Sequence, residues 1–156
     1  MILKTRDFGE IEAQEQDIYR FAGGIPGFED RTAFILLQAG EESSFYYLQS
    51  VEEEKLSFVL TDPFFFFPDY EVELSDTVKE ELEIGDRAEV VVLAVVSVRE
   101  RISDATVNLL APVVFNKSKR SGKQIILAGS GYTTKHRLMP DTGNAAPAAA
   151  ALSEEE

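Results

Sequence analysis

Short stretches of apolar residues, several alternating with polar ones, follow one another along this chain at intervals that leave little room for helices. Candidate strands fall at residues 2–4, 9–13, 17–21, 33–37, 45–50, 57–61 and 69–74. In the last of these, Tyr70, Val72 and Leu74 are expected to share one face while Glu71 and Glu73 meet water. Turn formers punctuate the series, most densely in Gly23-Gly24-Ile25-Pro26-Gly27, whose residues favour tight turns and unusual dihedrals. Many short strands so closely spaced predict an antiparallel barrel or sandwich.

One helix is expected, near residues 76–83, with Ser75 or Thr77 capping its start, Asp76 complementing its dipole and Gly85 ending it. Val78 and Leu82, four residues apart, supply its buried stripe. Residues 89–98 form a nearly continuous Val-rich run, the pattern of a strand covered on both faces. Residues 106–115 repeat the pattern, and Pro112 within them predicts a bulge or an edge. A turn over 117–122 and a strand over 123–127 complete a hairpin. From residue 140 onward the chain is an Ala-rich tail ending in three Glu with no periodicity, expected to be disordered. The folded unit is therefore one domain, residues 1–139.

The 156 residues include eleven Phe and five Tyr, ample material for a core. The formal charge is −13. Residues 1–140 hold 24 of the 28 acids and all 15 Lys and Arg, so a charge of −9 belongs to the folded part. Such a surface repels phosphate backbones and anionic lipid leaflets, and it steers basic partners. No Cys is present, which removes disulfides and thiolate chemistry. Met1-Ile2-Leu3-Lys4-Thr5-Arg6 lacks the long apolar stretch of a signal peptide, and the run 90–98 is under half a bilayer span. The expected location is the cytoplasm.

Catalytic motifs are missing. The single His136 lies between Lys135 and Arg137, cationic neighbours that disfavour a metal ion or an imidazolium. Gly129-Ser130-Gly131 lacks the spacing of a nucleophile elbow or a phosphate loop. Glu52-Glu53-Glu54 and Glu80-Glu81 read as solvated faces, and Asp62-Pro63 as a turn at a strand end. Lys117, Lys119, Arg120 and Lys123 form a basic hairpin tip without interleaved aromatics for base stacking. No enzyme and no cofactor is expected. The acid count and the aromatics leave one alternative, a carboxylate-dependent hydrolase or sugar-binding β-barrel. The most unusual feature is Phe64-Phe65-Phe66-Phe67-Pro68. In an extended segment four successive rings point to alternating faces, so either both faces are covered or some rings form an exposed partner site.

Phe21-Ala22-Gly23-Gly24-Ile25-Pro26-Gly27-Phe28-Glu29, Tyr47-Leu48-Gln49-Ser50, Asp62-Pro63 and Tyr70 resemble the flagellar assembly factor FliW family. Val107-Asn108-Leu109-Leu110-Ala111-Pro112-Val113-Val114-Phe115-Asn116 and Gly122-Lys123-Gln124-Ile125-Ile126-Leu127 continue the resemblance in unbroken order. It implies a cytoplasmic, mainly β, antiparallel barrel-like domain with one short helix. It also implies two competing protein partners, the C-terminal region of flagellin and the RNA-binding regulator CsrA. The free factor would antagonise CsrA without touching RNA, relieving repression of flagellin translation. Gly23, Gly24, Pro26, Gly27, Asp62, Pro63, Asn108 and Pro112 fall on the family's recurring positions, mostly as turn formers. Phe28, Phe64, Phe67 and Tyr70 are the expected apolar contacts, and Glu29, Glu71 and Glu73 the expected charge complement. With Asp62 and Asn108 they make up the candidate partner-binding set. One shared surface or two linked ones would both satisfy this reading.

Overall fold

The computed structural model describes residues 1–98 and 100–138. The tail expected from residue 140 lies outside the described residues. Eleven strands are assigned in chain order: β1 Ile2–Thr5, β2 Gly9–Glu12, β3 Ile18–Arg20, β4 Ala33–Gln38, β5 Phe45–Ser50, β6 Ser57–Thr61, β7 Val90–Ser97, β8 Thr106–Val107, β9 Val113–Asn116, β10 Ser121–Gln124 and β11 His136–Arg137. Two short helices, α1 Pro63–Phe66 and α2 Asp76–Glu81, lie between β6 and β7.

Seven strands close on themselves in the order β7-β6-β5-β4-β3-β10-β9, and β9 returns to β7 through the register Val90↔Asn116 to Leu93↔Val113. All of these pairs are antiparallel except β3 with β10, which meet in parallel at Arg20 and Ser121. Closure removes the free edges that an open sheet would present. β8 and β11 extend the wall beyond β9, where β8 pairs with the last residues of β7.

Side chains of a strand point alternately to its two faces, and one face of each strand fills the barrel. Phe34, Leu48, Leu60, Leu93, Val113 and Phe115 meet Tyr19, Phe21 and Ile25 in the interior cluster. Phe21 makes edge contacts with Phe34 at 5.4 Å and Phe115 at 5.8 Å. That ring lies so close to β10 that a Cβ on Gly122 would stand 2.5 Å from it. Gly24, at φ +73°, permits a second close approach, since a Cβ there would come within 2.6 Å of the Glu29 backbone.

The outer wall is covered in three places. The β1–β2 hairpin lays Leu3, Ile11 and Ala13 over Ile35 and Leu37. Helix α2 sets Val78 and Leu82 against Val114, Ile125, Val90 and Val92. The Phe run and Tyr70 cover Phe45, Ala94 and Val96. The Val-rich strand is thus covered on both faces, fully at Leu93, Ala94 and Val96 and partly at Val90, Val91, Val92 and Val95.

Four local expectations are corrected. The Phe run is a single helical turn, because the Asp62 carboxylate accepts from the Phe64 N–H at 2.9 Å and Pro63 occupies the first turn. Residues 106–115 are two strands; Pro112 is buried immediately ahead of β9, a strand paired on both sides, and so marks neither an edge nor a bulge. Residues 69–74 join no ladder, although their burial alternates as expected. Helix α2 stops before Gly85; Glu83 turns at φ +55°, and the Leu82 and Glu83 carbonyls accept from the buried Asn116 amide at 2.7 and 3.2 Å. Ser75 caps its start as expected, accepting from Val78 N–H.

Candidate functional site

Helix α1 and the strap that follows it, residues 67–75, form the most distinctive surface of the molecule. In a one-turn helix the rings of Phe64, Phe65 and Phe66 fan around the axis instead of alternating, and Phe67 caps its end. Phe66 turns in against Phe45, with ring centroids 5.8 Å apart, and Phe67 meets the His136 ring at 6.0 Å. Phe64 leans on Tyr70 at 5.5 Å while remaining exposed, and Phe65 is 68% exposed. With the run turned into a helix, Phe66 and Phe67 cover the core while Phe64 and Phe65 form an exposed apolar patch.

Tyr70 anchors the strap. Its hydroxyl donates to the Leu109 carbonyl at 2.7 Å, its ring packs edge-on against Tyr132 at 4.8 Å, and burial holds its phenol protonated well above the ordinary range. Beyond it Val72 and Leu74 settle against the barrel wall, and Glu71 and Glu73 face outward. A groove of about 860 Å³ runs along one side of the strap, between residues 71–76 and 126–132. A second groove lies on the other side, floored by Val90 and Val92 and flanked by Arg87 and Lys79. Glu71 and Glu73 line both; with Asp76 they make the bank of the larger groove acidic, whereas Arg87 and Lys79 balance them in the second.

The structure brings Phe64, Phe67, Tyr70, Glu71 and Glu73 together on this surface, with Asp62 as the cap of α1. It separates Phe28 and Glu29 from them. Phe28 packs edge-on against Phe58 near the start of β6, whereas the Phe run begins after that strand's last residue. The Glu29 carboxylate accepts from the Gly27 N–H at 3.1 Å, which holds it below the usual carboxylate range. The same turn carries Gly23, Gly24 and Gly27 at positive φ, with Pro26 between Ile25 and Phe28. Asn108 is inward-looking: its side-chain oxygen accepts from Ala111 N–H at 2.9 Å and shapes the turn that leads to Pro112.

Three surface residues stand outside the candidate set named from the sequence. Phe65 stands out only once the run is helical. Tyr132 donates no periodic signal, yet its hydroxyl accepts from the Glu71 N–H at 3.2 Å. Ile126, 72% exposed, was legible in principle, because consecutive Ile125 and Ile126 in an extended segment must face opposite ways.

The Glu29 and Glu89 carboxyls are held below the ordinary carboxylate range, by backbone N–H groups of Gly27 and of Gly85 and Asp86 respectively. A hydrolase's general acid needs the opposite displacement. Among the described residues no group of three or more His, Cys, Asp or Glu gathers to hold a metal ion, and no helix is long and apolar enough to cross a membrane.

Comparison with known proteins covers the same span. The model of the FliW protein family matches residues 2–138. The flagellar assembly factor FliW of Alkaliphilus metalliredigens (strain QYMF) is 44% identical over 142 residues, covering 90% of this chain and 88% of its own. That of Geobacillus kaustophilus (strain HTA426) is 45% identical over 141 residues, covering 90% and 97%. A crystal structure of the flagellar assembly factor FliW superposes with a TM-score of 0.86 at 44% identity, over 91% of this chain and 99% of that one.

Proposed function

This chain belongs to the FliW family of flagellar assembly factors, which is not a family of enzymes, and from that premise we propose that it is a partner-switching regulator in the cytoplasm. It binds flagellin as a chaperone, through flagellin's C-terminal region. When flagellin is exported, the freed factor binds CsrA and relieves the repression of flagellin translation. The observation that carries this reading is the α1–strap surface, where exposed Phe64 and Phe65 adjoin grooves banked by Glu71 and Glu73.

Both halves of that surface suit such partners. An aromatic patch with a polar rim is the usual anatomy of a protein interface. Acidic banks attract a basic protein and repel the RNA it carries, so CsrA can be engaged without nucleic acid. A segment of flagellin that presents apolar anchors finds a floor of Val90 and Val92 in one groove, or of Ile126 and Leu127 in the other.

The test is copurification at low salt. CsrA should remain bound to this chain after RNase treatment, and added flagellin should release it. Loss of the complex with RNase, or indifference to flagellin, contradicts the proposal.

A further inference from the structure

Residues 70–75 behave as a strand that has no partner. Their side chains alternate, with Tyr70, Val72 and Leu74 toward the barrel and Glu71 and Glu73 outward. The Glu71 N–H reaches the Tyr132 hydroxyl, and Ser75 belongs to the cap of α2. Between them, among the described residues, neither the N–H nor the C=O of Val72, Glu73 or Leu74 takes part in a hydrogen bond. Backbone groups are obligatory hydrogen bonders, so these depend on solvent or on an added chain. With a groove on each side, water reaches them freely.

The opposite bank of the larger groove has the same property. After β10 ends, Ile125 and Leu127 donate to the Pro112 and Leu110 carbonyls at 2.9 and 2.8 Å. Alternate residues of a ladder face the same neighbour, so the N–H and C=O of Ile126 turn the other way. They too are without a hydrogen bond among the described residues, and Ile126 lines the groove. The Glu71 N–H points across this groove to Tyr132, so by the same alternation the free N–H and C=O of Glu73 face it opposite those of Ile126, while Val72 and Leu74 turn toward the second groove. The larger groove's charged lining is Glu71, Glu73 and Asp76 against Lys79 alone.

We propose that this groove is a slot for strand addition, taking one extended, lysine- or arginine-bearing segment of a protein partner between residues 71–75 and residue 126. Main-chain hydrogen bonds to the strap supply affinity, the outward carboxylates select basic side chains, and Ile126 and Leu127 take up an apolar residue between them. This rests on the partner-binding reading above and states how one partner segment is held.

A capped heptapeptide of alternating Lys and Val is the probe, with amide hydrogen exchange of the full chain as the readout. Binding should slow exchange at least tenfold at the Glu73 and Ile126 amides. The same peptide N-methylated at every second residue, and an alternating Glu–Val peptide, should give no slowing. Replacing Glu71 and Glu73 together by Lys should weaken binding at least tenfold, with an unchanged thermal midpoint confirming that the fold is intact. Equal slowing by the N-methylated or acidic peptide, slowing confined to Phe64–Phe67, no slowing at all, or a helical bound peptide would each overturn the proposal. Copurification of CsrA or flagellin is a separate result, so the slot can fail while partner binding stands, and the reverse.

Discussion

Gly122 and Tyr70 show how much of this fold depends on single atoms. A methyl on Gly122 has no space beside the Phe21 ring, which is itself wedged between Phe34 and Phe115. Gly122→Ala should therefore destabilise the protein by about 1–3 kcal/mol, the range for overpacking a closed core, as read by urea unfolding. Tyr70→Phe removes the donor to a buried carbonyl, Leu109, and should cost about 1–2 kcal/mol at neutral pH. The sign of its pH dependence also follows. Burial raises the folded phenol's pKa, so stability from the protonated form is fully present below the unfolded value and is lost as pH climbs beyond about 10. The native protein should weaken faster than Tyr70→Phe above that pH, narrowing the gap between them in thermal melts.

At the scale of elements, the strands were legible as short apolar runs of strand length bounded by turn formers. β4, β5 and β6 lie where such runs place them, and β7 is covered on both sides as its unbroken Val run requires, whereas the alternating 69–74 joins no ladder. The errors arise where a local cap or a distant partner outvotes the pattern. Asp62-Pro63 converts four Phe from an extended run into a helical turn, and no hydrophobic periodicity reveals that. Asn116, more than thirty residues from Leu82, receives the end of α2 and makes Gly85 unnecessary as a terminator. The site was half visible for the same reason: Phe64, Phe67, Glu71 and Glu73 could be named from their types, while Phe65 depended on the turn and Phe28 lies elsewhere. Asp62→Ala should loosen α1 at a cost of about 1 kcal/mol, seen as a lowered denaturation midpoint with an unchanged slope.

The whole molecule is a closed barrel with its acidity on the outside, and charge acts at that scale. With a formal charge of −13, encounter with a basic partner should be steered by a field that salt shortens from about 10 Å at 0.1 M to about 3 Å at 1 M. The association rate with CsrA should fall by roughly tenfold or more between 0.05 and 0.5 M salt while dissociation changes little, as stopped-flow mixing would show. A rate indifferent to salt would assign the charge to solubility alone. In the proposed function the exposed end of α1 and its strap form the working surface. Phe65 touches little of the core, so Phe65→Ser should leave the thermal midpoint nearly unmoved. Calorimetric titration of this variant with flagellin and with CsrA tests the claim most directly. At least one partner should bind tenfold or more weakly than to the native chain; native affinity for both would contradict the account.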